Sequence, residues 1–213
     1  MREYNQFEVL VKRFPILECC LPSLADTHKE LSAAFRGGKK LLVCGNGGSC
    51  ADADHIVGEL MKGFVKKRVI PTAVSDKLKA LDAERGNLLS DMLQMSFRAI
   101  NLCQHTALNS AFSNDRDPSM IYAQQVLGYV DSGDVFLGIS TSGNAENVYL
   151  AALTAKVFGA VVIGLTGEDG GNLGKIADIL INVPGRCTYQ IQELHLPVYH
   201  ALCLSLEEEF FHD

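Results

Sequence analysis

LLVCGNGGSCADADHIVGE, Leu41 to Glu59, decides the fold. Leu41 to Cys44 is an apolar run of the length and bounding expected for a fully buried strand of a parallel sheet. Gly45, Gly47 and Gly48 then strip side-chain bulk from a turn, and Asn46 tolerates the left-handed backbone that such turns use. Ser49 stands where a helix N-cap is expected, with Ala51, Ala53, Ile56, Val57 and Leu60 supplying helix formers and an apolar face behind it. A buried strand that opens through glycines into a helix start presents unpaired N–H groups and the positive end of the helix dipole above the sheet edge. Anions bind such places.

On the same helix His55 and Glu59 are four residues apart and project from one face. An imidazole and a carboxylate so placed suit either a zinc-type metal or acid–base work. Taken alone, an exposed helix pair is the commoner fate of this spacing, so the rest of the chain has to weigh in.

The chain of 213 residues, 47% of them hydrophobic, is enough for one substantial core, and a single α/β domain over residues 1–213 is the simplest count. The net charge of −6 and the lack of a Lys/Arg stripe argue against nucleic acid as a partner. No apolar run has the length of a membrane span, and MREYNQFEVL lacks the apolar core of a secretory signal, so a cytoplasmic protein is expected. The seven cysteines are odd in number, show no CxxC pairing and sit mostly in apolar runs, which predicts reduced core or site-lining thiols.

Working outward, residues 1–38 read as a helical segment broken at Pro15 and Pro22 and closed by Gly37 and Gly38. Its apolar content exceeds what one helix face needs, which suits packing against a second subunit. Residues 65–96 mix charges and leucines, and read either as a helical excursion over a site or as a decorated surface loop, the loop being preferred. Ala99 to Cys103, VFLGIS (Val135 to Ser140), AVVIGLTG (Ala160 to Gly167) and DILINVP (Asp178 to Pro184) are further strands. Helical stretches alternate with them, Tyr122 to Val130 and Asn144 to Phe158 among them, which predicts a parallel sheet with helices on both faces. A long helix from about Gln190 to Phe211 closes the chain.

A second loop repeats the physics of the first. Strand residues end at Ser140, and Thr141, Ser142, Gly143 and Asn144 lead into a helix, offering hydroxyls and main-chain N–H groups together. A phosphate needs many converging donors, and this loop supplies more than a helix cap requires. In a parallel sheet both loops emerge at the C-terminal strand edge, where ligands bind. The terminal helix carries IQELHLPVYH, with Gln192, Glu193, His195 and His200 as groups of ligand capacity and Pro197 as a source of a kink. Gln192 and His200 are separated by roughly 12 Å of helical rise, so they share a ligand only by leaning toward each other.

These segments resemble the SIS-domain (sugar isomerase) proteins, and the phosphoheptose isomerases in particular. The resemblance rests on CGNGGSCADADHIVGEL, the SND ending at Asp115, GDVFLGISTSGNAENV, IGLTGEDGGNL and IQELHLPVYHALC, which follow in the family's order from Leu41 to Cys203. It implies a three-layer α/β/α sandwich around a five-stranded parallel sheet, a homotetramer, and sites at subunit interfaces. It further implies that Ser140, Thr141 and Ser142 hold a sugar phosphate, with Asn46, Gly47, Ser49, Asn114, Asp115, Asn144 and Thr188 around the sugar. His55, Glu59, Gln192 and His200 would surround a zinc ion, and Glu59 and His200 would be the acid–base pair. A group cannot be a firm metal ligand and a free proton carrier at once, so those roles are alternatives or separate stages.

Ala145 stands where the family often has a serine, Tyr189 and Gln190 depart from the usual approach to IQE, and residues 65–96 are longer than the family pattern. The resulting expectation is an aldose–ketose isomerase of a phosphorylated sugar, with sedoheptulose 7-phosphate as leading substrate. The rival is a non-catalytic phosphosugar-binding or protein-interaction module, like a DnaA-binding relative that lacks the acid–base pair. Presence of His55, Glu59, Gln192 and His200 together favours the enzyme.

Overall fold

Strands buried on both faces are apolar along their whole length, and this governs the centre of the molecule. In the computed structural model, which describes residues 5–211, β1 (Leu41–Gly45) and β3 (Val135–Ser140) are buried at every position. With β2 (Ala99–Asn101), β4 (Val161–Thr166) and β5 (Ile179–Asn182) they form one sheet in the order β2-β1-β3-β4-β5, every pairing parallel. The predicted strand at Ala99 to Cys103 is thus present but ends at Asn101, where the chain turns under a hydrogen bond from the Cys103 N–H to Asn101 Oδ1.

Helices cover both faces. On one side α1 (Asn5–Arg13), α2 (Leu21–Arg36), α3 (Gly48–Met61) and α10 (Thr188–Phe210) enclose Leu24, Leu31, Ile56, Leu60, Val198 and Leu206 against Leu41, Val43 and Leu137. On the other, α7 (Ile121–Tyr129), α8 (Glu146–Val157) and α9 (Gly171–Ile176) close over Leu42, Phe136 and Val162. Each fully buried leucine or phenylalanine in these layers is worth about 1.5–3 kcal/mol. A 3-10 turn, Pro15–Cys20, joins α1 to α2, as the prolines foretold, and Gly38 ends α2 region with φ 69°. Pro197 lies within α10 without ending it.

Two local expectations are corrected. Ser49 does not cap α3. The helix begins at Gly48, two residues sooner than a Ser49 cap would start it, after Gly47 at φ 55°, and Ser49 is buried, so close to Gly45 that a Cβ there would stand 2.7 Å from its own. The preferred surface loop at 65–96 is instead a helical hairpin, α4 (Thr72–Leu81) and α5 (Ala83–Met92). Asp82 caps α5 by accepting from the Arg85 N–H at 2.9 Å, and Gly86 lets α5 approach the backbone of α4, where a Cβ would meet Leu78 at 2.5 Å. An antiparallel bridge between Val69 and Gln94 closes the neck. Residues 106–115, read only as a mixed stretch, form α6 (Thr106–Asp115).

The described cysteines are all free. Cys20, Cys44 and Cys203 are core residues and Cys103 lines the first glycine turn, whereas Cys19 and Cys187 are exposed. No helix among the described residues is long and apolar enough to cross a membrane.

Candidate active site

The strand order reverses between β1 and β3, and the two glycine-marked loops leave the sheet side by side at that point. A crevice at such a reversal is where open α/β sheets hold ligands. Asn46, at the tip of the first loop, and Asn147, in the first turn of α8, exchange amide hydrogen bonds of 2.8 and 2.9 Å. The Tyr122 hydroxyl donates to the Gly45 carbonyl at 2.8 Å and reaches Asn46 Oδ1 at 3.3 Å. Asn147 and Tyr122 carry no sequence signal for this, because their partners lie 101 and 76 residues away.

The second loop is fixed from behind. Gly143 has φ 66° and packs so closely on the turn before α9 that a Cβ would overlap the Gly170 carbonyl. The Asn172 N–H donates to Asn144 Oδ1 at 3.0 Å, and the Leu173 N–H to the Gly143 carbonyl at 2.9 Å. With its carbonyls and the Asn144 side chain so engaged, the loop keeps Thr141 half-buried and Ser142 exposed at the crevice, while Ser140 is buried at the strand end. No side chain caps α8, so the hydroxyls are not consumed as a helix cap.

A second cluster lies where α3 meets α10. His55 Nε2 is 3.3 Å from Glu59 Oε1, and Lys62 Nζ holds Glu59 Oε2 at 2.7 Å. The His200 ring lies edge-on to His55 with centroids 4.9 Å apart. Burial, and then His55 beside it, pull the His200 imidazole below its ordinary pKa, which favours the neutral ring. A cavity of about 150 Å³ between α1 and α10 has His200, Pro197, Glu193 and Arg13 on its wall. Tyr199 and Asp52, unmarked in the sequence reading, back His55. For Asp52 a signal was available as spacing alone, since it precedes His55 by one helical turn on the same face. Gln192 links the clusters by packing against Gly48, where a Cβ would lie 2.8 Å from its Cδ.

The remaining predicted positions are not gathered in. Asn114 and Asp115 are exposed at the end of α6 and bond each other at 2.9 Å, and Thr188 is exposed in the first turn of α10. His195 is fully buried with Nε2 3.2 Å from the Thr166 carbonyl, so it braces α10 on β4 and faces no ligand.

The donor chemistry of His55, Glu59 and His200 fits a zinc-class ion, and His200 Nε2 is buried without a partner. Among the described residues, though, no three His, Cys, Asp or Glu side chains converge as a formed metal site. Both ring nitrogens of His55 already have neighbours, so loading an ion requires one to be released.

Residues 94–167 match the SIS domain family model. A phosphoheptose isomerase of Geotalea daltonii is 38% identical over 191 residues, covering 89% of this chain and 85% of that protein. The chain belongs to the phosphoheptose isomerase family. Solved structures agree with this placement in the phosphoheptose isomerases. One from Francisella tularensis superposes with a TM-score of 0.76 at 28% identity, covering 95% of this chain and 94% of that one. Another from Neisseria gonorrhoeae gives 0.73 at 28%, with 94% of each chain covered. In this phosphoheptose isomerase family member the two glycine-marked loops and the His–Glu cluster therefore sit within a fold shared with those enzymes.

Proposed function

We propose that this protein is a sugar-phosphate isomerase that interconverts sedoheptulose 7-phosphate and D-glycero-D-manno-heptose 7-phosphate. The observation that carries the reading is the His55–Glu59 pair on α3 with the His200 ring of α10 edge-on to His55, in a family whose curated relatives are phosphoheptose isomerases.

Moving a carbonyl between adjacent carbons requires a proton to leave one carbon and return to its neighbour through an enediol. Glu59, held by Lys62 through one carboxylate oxygen, is the base that takes it, and His200 serves the oxygens as acid. Ser140, Thr141 and Ser142, with the N–H groups opening α8, hold the phosphate, whose binding energy aligns the reacting carbons. Asn46, Ser49, Asn144, Asn114, Asp115 and Thr188 complete the sugar site in this proposal, the last three from exposed positions that a neighbouring subunit would bring to a crevice. Zinc, held by His55, Glu59, Gln192 and His200, would polarise substrate oxygens when bound. A homotetramer in the cytoplasm belongs to the same proposal, and the exposed Leu81, Leu88 and Met92 of the α4–α5 hairpin are apolar surface that assembly would cover.

The test is NMR of the zinc-supplemented protein with sedoheptulose 7-phosphate in deuterated water. Aldose product with deuterium at the carbon beside the carbonyl is expected, and Glu59→Gln should abolish both signals while still binding substrate. Phosphosugar binding without product or exchange would overturn the enzyme in favour of a binding module.

A further inference from the structure

Behind the proposed acid–base pair runs a chain of three side chains. Tyr199 is 2% exposed, and its hydroxyl donates to Asp52 Oδ1 at 3.2 Å while lying 3.1 Å from His55 Nδ1. A phenol has one proton to give, and in this arrangement it is given to Asp52 Oδ1. The phenol oxygen is left as an acceptor toward His55. What can donate to it is Nδ1–H.

The geometry points to Asp52 and Tyr199 as positioning residues that keep the His55 proton on Nδ1 and so turn the Nε2 lone pair toward Glu59. The proposal rests on the isomerase reading for its purpose, though its hydrogen-bond logic stands without it. Nε2 and Glu59 Oε1 are 3.3 Å apart. With the neutral ring in this tautomer, two electron-rich atoms face each other, and the pair is at ease only with a cation between them. It is a site for a divalent ion of the zinc class. The opposite tautomer would place Nε2–H against the carboxylate as an ordinary hydrogen bond and close that site. Orienting groups behind a ligating histidine usually change metal affinity about 10–100-fold.

The experiment uses metal-free full-length protein with ¹⁵N-labelled histidine, at a pH where imidazole is neutral, with the His55 signals assigned by their loss in His55→Gln. In the unsubstituted protein His55 should carry its proton on Nδ1. Asp52→Ala, which frees the Tyr199 proton to turn toward His55, should move the His55 proton to Nε2. Asp52→Asn, whose amide oxygen still accepts from Tyr199, should leave it on Nδ1. Chelator-competition titration with zinc should show Tyr199→Phe weakened roughly 10–100-fold. A wild-type proton on Nε2, or an unchanged tautomer in folded Asp52→Ala, overturns the proposal. The expected tautomers with no zinc uptake, or with no isomerisation, would uphold the positioning role and remove the corresponding part of the functional reading.

Discussion

Asn46 and Asn147 hold each other by two amide bonds, 2.8 and 2.9 Å, across the crevice between the β1 and β3 loops. Each supplies one N–H and one carbonyl, so neither can be replaced by a group with a single hydrogen-bonding character without leaving its partner short. Asn147→Ala should raise KM for sedoheptulose 7-phosphate by about fivefold, equivalent to one lost hydrogen bond of ~1 kcal/mol, with a smaller change in kcat. Steady-state kinetics would check the split, and an unchanged KM would remove the pair from the binding site.

Gly143 is bounded on two counts, a φ of 66° and the turn at Gly170 pressed against it. Gly143→Ala should cost about 2–4 kcal/mol, from left-handed backbone strain together with overpacking. Phosphosugar affinity should fall with it. Gly128, in α7 with open space around it, is the control: Gly128→Ala should gain about 0.5–1 kcal/mol. Urea unfolding of both variants tests the contrast.

Arg68 and Glu207 form a fully buried ion pair at 2.8 Å. Arg68 also donates to the Leu60 and Glu59 carbonyls at the end of α3, while Glu207 accepts the N–H groups of Phe64, Val65 and Lys66. Burial alone would raise the Glu207 pKa, yet these donors hold the carboxyl below its ordinary value. Arg68→Ala should therefore lose about 3–5 kcal/mol, since it leaves a buried carboxylate unpaired. Glu207→Gln, which keeps an acceptor oxygen, should lose less. Equal losses in denaturant melts would contradict this account.

Burial lowers the His195 pKa to about 4 in the fold, while the unfolded ring titrates at its ordinary value of 6.5. Below 6.5 the unfolded chain binds the proton first, so stability must fall with pH through this window. Between about pH 7.5 and pH 5 the loss from this one group is on the order of 2 kcal/mol. His195→Gln should flatten that slope in urea titrations run at the two pH values, whatever its effect on absolute stability.

The parallel sheet was legible because its strands are continuous apolar runs, and the glycine loops because their chemistry is local. VFLGIS and LLVCG needed no tertiary information to be read. Ser49 misled because a serine beside a glycine turn looks like a cap, whereas the cap position falls at Gly47, with its positive φ, and the helix starts two residues sooner. The α4–α5 hairpin was obscured because its helices bury little beyond each other, leaving no clear apolar face to detect. In the site, His55 and Glu59 announced themselves by spacing on one helix. Asn147, Tyr122 and Tyr199 did not, because each acts on a partner from a distant segment, and only the folded sheet brings those together.

That distance also sets a schedule. His55 leaves the ribosome 144 residues ahead of Tyr199, so at an elongation rate of about 5–20 residues per second the nascent α3 waits roughly 7–29 s for it. Through that interval the face of the sheet destined for Val198, Leu202 and Leu206 of α10 lies open as well. The growing chain carries an uncovered apolar surface until its last described helix docks, and the site and the completed core arrive in a single late event.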